Sequence, residues 1–233
     1  NHLKNSPSAK SFKGMSVLQK NITIKFLKII TLIILIFSNS LAFGAISYVD
    51  DIDVPANDKN GQNIPHGVTF NSDGTKLFLA GISHQEINVY NLSTAYDVST
   101  SVHQNTYFNG DGLEFVAIAF NTNGTKLFIY DATGNDSIKQ YSLGSPFDLS
   151  NAVLQKQYRG TSSKTLREIN GTPQGFAFSS DGSKMYVTGI NTQKIKEFTL
   201  STPFDLSNVK LESPGYDLSD EIVEPSGIAL SDD

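Results

Sequence analysis

The chain has no cysteine, no tryptophan, two methionines and four histidines among its 233 residues. Without cysteine there is no disulfide framework, no thiolate metal site and no thiol nucleophile. No Gly-x-Ser-x-Gly elbow occurs, and no Gly-rich phosphate loop opens a helix. Apolar runs are short. The most apolar, 29–37, is broken by Thr31 and falls well below the about 20 residues that a membrane span requires. Positive charge is scarce and lies towards the N-terminus. Residues 1–44 hold six lysines and no carboxylate, which leaves 12 basic against 23 acidic side chains, a net of −11, in the remainder. Such a domain repels nucleic acid and anionic lipid. The partners it suits are a protein, a glycan or a small molecule, with no nucleic acid and no membrane span once the N-terminal segment is removed.

That segment has the three-part layout of a secretory signal. From Met15, Lys20, Lys25 and Lys28 form a basic region, 29–37 an apolar one, and Ser40-Leu41-Ala42 or Ala42-Phe43-Gly44 offers small residues for cleavage. Residues 15–44 therefore read as a signal peptide and 1–14 as upstream translation foreign to the product. Residues 45–233 read as one exported domain, destined for the periplasm, the cell surface or the medium.

Eighteen glycines, 15 phenylalanines and 9 tyrosines favour an all-β chain rich in turns. One phrase recurs: "NSDGTKLF" at 71–78, "NTNGTKLF" at 121–128 and "SSDGSKMY" at 179–186. The equivalent positions Gly67, Ala117, Gly175 and Gly227 are separated by 50, 58 and 52 residues. A period near 50 with strand-like content is that of propeller blades. Each unit reads as four strands. An innermost strand, apolar on both faces, is followed by a turn at Asp73-Gly74, Asn123-Gly124 or Asp181-Gly182, where the backbone takes positive φ. Strands "KLFLAG" and "EINVYNL" come next in the first copy. A second refrain follows: "STAYDVST", "GSPFDLSN", "STPFDLSN". Its aromatic packs under the blade and its aspartate caps local N–H groups. No helix is expected in the domain.

The blades span approximately 64–110, 114–160 and 172–220, with the start of a further blade at 224–233. Residues 46–54 form an outer strand suited to close the ring. The fold class is thus an all-β propeller of four-stranded antiparallel blades, three of them plus the start of a fourth, in an incomplete ring.

The phrase G-x-A-F-S-x-D-G-x-K-h-Y-V (h apolar), followed by I-x-x-[YF]-x-L, resembles the YVTN-type and WD-repeat-like β-propellers of secreted bacterial proteins. Residues 70–79, 120–129 and 178–187 carry the match. The resemblance implies surface-binding modules, cell-envelope or phage structural parts or, in a lactonase-like branch, hydrolases.

The repeated polar residues do not form a site. A calcium loop needs carboxylates at alternate positions, and the copy at 121–128 has none. Function is sought where the copies differ: in the residues just before the innermost strand and in the loops between the second and third strands, which meet around the axis. The candidates are His66, Glu114, Gln174 and Glu224, with His84, Asp136 and Asn191 from the loops. Such a ring suits a ligand or a divalent cation such as calcium, held by Glu114 and Glu224; no other cofactor is evident. No catalytic constellation stands out. The expected function is an exported binding or scaffold module, with a metal-assisted, lactonase-like hydrolase at the channel mouth as the alternative.

Overall fold

Gly74, Gly124 and Gly182 take φ of 72°, 70° and 70°, and each stands between two strands of a meander. The computed structural model describes residues 65–81, 86–108, 112–134 and 136–231. The signal-like segment, residues 46–54 and His84 lie outside them. Among the described residues twelve strands form three separate four-stranded antiparallel sheets, each in sequence order. Blade 1 holds β1 (Pro65–Phe70), β2 (Lys76–Gly81), β3 (Glu86–Leu92) and β4 (Ser101–Tyr107). Blade 2 holds β5 (Phe115–Phe120), β6 (Lys126–Asp131), β7 (Ser137–Ser142) and β8 (Val153–Tyr158). Blade 3 holds β9 (Pro173–Phe178), β10 (Lys184–Gly189), β11 (Lys194–Leu200) and β12 (Val209–Asp217). The first strands lie side by side, β1 against β5 and β5 against β9. This is an arc of a β-propeller.

A small cluster of Leu77, Tyr90 and Leu92 lies within blade 1, and the two larger cores lie between blades. One packs Phe78, Ile87 and Val89 of blade 1 against Phe115, Leu127, Ile129 and Tyr141 of blade 2. The other packs Phe128, Tyr130 and Ile138 of blade 2 against Met185, Val187 and Phe198 of blade 3. Successive residues of β6 thus face opposite neighbours, which is why "KLFIYD" is apolar without alternation. The small residue of the innermost strand sits where these strands nearly touch. A Cβ on Gly67 would lie 3.1 Å from the Cα of Ala117, and one on Gly175 would lie 3.1 Å from the Cα of Gly227. Residues 224–231, the start of the further blade, follow this path beside β9 without strand pairing.

The two refrains lock together. The backbone N–H groups of Tyr96, Phe147 and Phe204 donate to the carbonyls of Gly74, Gly124 and Gly182 at 2.9, 2.8 and 3.0 Å. Each ring lies on its glycine so closely that a Cβ there would overlap it. The aromatics themselves sit at φ of 61°, 57° and 52°, a conformation that costs a non-glycine residue about 1 kcal/mol or more. Ring contacts offset that strain. Phe120 touches Phe147 of its own blade at 5.1 Å and Phe78 of the preceding blade at 4.7 Å; Phe178 does the same with Phe204 at 5.4 Å and Phe128 at 4.5 Å. As expected, the refrain aspartates cap locally: Asp97, Asp148 and Asp205 accept from the N–H groups of Ser99, Ser150 and Ser207.

Three expectations need correction. In the Asp-Gly and Asn-Gly turns only the glycine has positive φ. Asp73, Asn123 and Asp181 instead accept from the N–H groups two residues on, at 2.9, 3.2 and 2.9 Å. The innermost strand of blade 1 is not buried all round: Val68 is 62% exposed because no described strand packs on that face, whereas its equivalents Ile118 and Phe176 are buried against the preceding blade. All three innermost strands border an open cavity of about 620 Å³. Finally, a helix does occur, α1 (Leu166–Asn170), closed by a Thr165–Glu168 capping box and by Gly171 at φ 59°.

Gly124→Ala should destabilise the domain by about 2–3 kcal/mol, from the positive φ and the ring overlap together. Combining it with Phe147→Ala should cost clearly less than the sum of the two single changes, because the overlap is then gone. Urea midpoints of the four proteins give the coupling; strict additivity would mean that the ring and the turn do not interact.

Candidate functional site

Strand register brings the segments that hold His66, Glu114, Gln174, Asp136 and Asn191 to one end of the three blades. Pro65 pairs with Gly81 and Gly81 with Glu86; Phe115, Asp131 and Ser137 align likewise, as do Pro173, Gly189 and Lys194. At that end each innermost strand carries a bulge. The pairing skips one residue, at His66, Val116 and Gln174. A bulge turns its side chain out of the regular alternation, so these three occupy one equivalent place. His66 is exposed, Gln174 half-buried, and Val116 is buried in the core between blades 2 and 3. The polar series is therefore interrupted in blade 2.

Glu114 and Glu224 occupy a different register, just ahead of the bulge position, with Thr172 as the equivalent in between. Both are exposed. The Glu114 N–H donates to Asp131 Oδ1 at 3.1 Å, and its carbonyl accepts from Ala132. Asn191 is exposed, and its amide donates to Thr172 Oγ1 at 3.1 Å. Among the described residues no three His, Asp or Glu side chains come together in a way that could hold a metal ion.

Asp136 differs from the rest. Its side chain is 0% exposed, and it accepts from Arg167 twice, Nε at 2.8 Å and Nη2 at 3.0 Å. The Tyr130 phenol shares this pocket. Burial, with Asp136 beside it, pushes its pKa upward, and the Asp136 carboxylate raises that of Arg167. Arg167 itself remains half exposed, whereas a second ion pair nearby is buried on both sides. Asp131 accepts from Lys139 at 2.8 Å and from the N–H and hydroxyl of Thr133 at 3.0 and 2.7 Å. Burial acts to raise the Asp131 carboxyl, but the hydrogen bonds from Lys139 and Thr133 outweigh it and hold the group below its usual range.

These pairs fasten parts of the structure together. Arg167 belongs to α1, in the connection from blade 2 to blade 3, and its guanidinium ties that connection to blade 2. Asp131 ties the end of β6 to β7 and, through the Glu114 N–H, to the entrance of β5. Sequence reading put Asp136 among ligand candidates and passed over Asp131, Lys139 and Arg167. A signal existed: Asp131 stands where the other two blades have Gly81 and Gly189.

No protein-family model matches the chain, and no curated protein sequence does. In structure it is similar to the β-propeller domain of Cps50 (Swd1) from Myceliophteria thermophila, with 10% identity over 66% of this chain and 45% of that one and a TM-score of 0.43. The periplasmic gluconolactonase of Pseudomonas aeruginosa matches at 16% identity over 66% and 42% of the two chains, TM-score 0.40. A nidogen/laminin complex matches at 16% over 71% and 52%, TM-score 0.44. The chain thus spans about half the length of these structures or less.

Lys139→Ala should destabilise the protein by about 3 kcal/mol at pH 7, because it leaves a carboxylate buried without its cation. The sign of the pH effect is diagnostic. In the parent the Asp131 contribution is fully present above the ordinary carboxyl value of 3.8 and is lost as the pH falls through the depressed folded value. In the variant, burial favours the neutral acid, so the deficit should shrink as the pH falls below about 4. A deficit that is constant from pH 7 to pH 3 in denaturant titrations would refute the pairing.

Proposed function

We propose that this chain is an exported propeller module that binds or scaffolds a partner, and that its blades are built for recognition rather than bond cleavage. The observation that carries this reading is the commitment of the buried carboxylates at the loop end. Asp131 and Asp136 are both held in ion pairs, to Lys139 and Arg167. A general acid or base needs a carboxyl free to exchange a proton with substrate. Glu114 and Glu224 are in no ion pair among the described residues, although Glu114 acts electrostatically on Arg167. They are exposed and stand two blade positions apart with Thr172 between them. At the bulge position His66 of blade 1 and Gln174 of blade 3 reach the surface and differ in chemistry, as residues of a recognition surface do. The signal-like layout of residues 15–44 supports an envelope or extracellular destination.

Two measurements on the full chain test the two halves of the proposal. Metal analysis and lactone-hydrolysis assays of the parent and of Glu114→Ala and Glu224→Ala should give the same result for all three, with neither stoichiometric metal nor turnover. A divalent cation present in the parent and lost in both variants would establish the hydrolase reading instead. For export, expression in a bacterial host should yield a periplasmic or secreted protein beginning at Phe43 or Ala45. A cytoplasmic product that keeps residues 15–44 would defeat that half alone.

A further inference from the structure

One step in the repeat is longer than the others, the 58 residues from Ala117 to Gly175. The excess is taken up by residues 159–172, which lead from β8 through α1 to β9. The only two arginines of the chain, Arg159 and Arg167, both fall there. Arg167 fastens the insertion to blade 2, as described above. Arg159 does not take part in that clamp; its guanidinium donates to Gln157 Oε1 at 3.2 Å and lines a groove.

The groove has a volume of about 790 Å³ and runs between the end of β8 with the insertion on one side and residues 206–211 of blade 3 on the other. Ile169, Leu206 and Tyr158 give it apolar surface, and Ser162, Ser163 and Asn208 line it with hydroxyl and amide groups. Arg159 and Lys164 supply positive charge, and among the described residues neither forms an ion pair. This sets them apart from their neighbours: Lys156, Lys194 and Lys210 pair with Asp205, Asp217 and Glu212. Nearby, Lys196 titrates below its ordinary value, from burial first and then from the repulsion of Lys194 and Lys164. Glu168 lies within electrostatic reach of Lys164 and offsets part of its charge, while Arg159 has no carboxylate within ion-pair distance among the described residues. Tyr158 adds a second, independent sign. It is buried, its hydroxyl has no hydrogen-bond partner, and burial keeps it protonated, with a pKa pushed up to about 12. Tyr158 lines the same groove, and a buried phenol without a partner is a donor that lacks an acceptor.

We propose that this groove binds a sugar bearing a sulfate or phosphate ester. Arg159 and Lys164 hold the ester oxygens, the guanidinium in its fork geometry and the ammonium as a point charge. Ser162, Ser163 and Asn208 meet the sugar hydroxyls, and Ile169 and Leu206 lie against the apolar face of the ring. The volume exceeds that of a lone oxyanion and suits a saccharide unit. The site is separate from the loop end, and it stands whether or not that end binds anything.

Calorimetric titration of the full chain with glucose 6-sulfate, glucose 6-phosphate, glucose and inorganic sulfate tests the proposal. At least one ester should bind, and glucose and inorganic sulfate should bind about tenfold more weakly or not at all. Arg159→Ala and Lys164→Ala should each weaken ester binding by about tenfold, as should raising the salt from about 0.05 M to about 0.5 M. Lys184→Ala, which removes an ammonium outside the groove that is already paired with Glu197, should change affinity by no more than about twofold. All three replaced side chains reach solvent, so melting curves like the parent's will show that the fold is retained. Binding of one ester alone supports the site and identifies the group it takes. The proposal is overturned if neither ester binds at about 10 mM, if glucose binds as tightly as its esters, or if the double variant Arg159→Ala, Lys164→Ala keeps the parent's affinity.

Discussion

Each blade hangs on the contact between a glycine in its first turn and an aromatic ring from its second refrain. The contact joins segments about 20 residues apart in the chain, Gly74 with Tyr96, Gly124 with Phe147 and Gly182 with Phe204. It fixes the hairpin of the two inner strands against the corner that leads to the outermost one. It also works outward. The ring presses on the last phenylalanine of the innermost strand, and in blades 2 and 3 that phenylalanine is seated against the preceding blade. Local turn geometry and the stacking of blades are thus parts of one chain of aromatic contacts. The positive φ of three aromatic residues is the strain that this arrangement holds in place.

Much of this was legible in the sequence, because a repeat states the same local requirement several times. Asp73-Gly74 and its copies announced a turn, and period and apolar runs gave the four-stranded units. What escaped was what occurs once, and what recurs without a signature of its own in the letters. The left-handed aromatics could not be read, since nothing in "AYD" or "PFD" signals a backbone forced over by a ring packed on a distant glycine. The helix α1 escaped because five residues are too few to show a 3.6-residue period, although Thr165-Leu166-Arg167-Glu168 carries the spacing of a capping box. The candidate ring combined two registers, His66 and Gln174 from the bulge with Glu114 and Glu224 from the position ahead of it. Strand pairing separates them; aligned letters alone do not reveal a bulge.

Charge is organised by the same division between repeated and unique. The capping aspartates of the refrains serve their own turns in every blade. The pairs Asp131–Lys139 and Asp136–Arg167 belong to blade 2 and its exit, where the chain departs from its period. Arg167 leaves one end of the insertion anchored, and the other end is free to carry Arg159 and Lys164 to the periphery. The interface between blades 2 and 3 is consequently the more elaborate one, with a helix, two ion pairs at its loop end, the Lys156–Asp205 bridge across its rim and a groove beside it.

The close approach at Gly67 and Gly175 has a geometric meaning beyond packing. Neighbouring sheets nearly touch at the axis through backbone alone, while phenylalanines and tyrosines hold them apart further out. Each blade is therefore a wedge, and the volume of one side chain at its thin edge sets the wedge angle. Ala117 is already one methyl thicker than the glycines of the other repeats. A larger residue there would flatten the arc and raise the number of wedges needed to complete a turn. The curvature of the assembly is written in a single small position, read once per repeat.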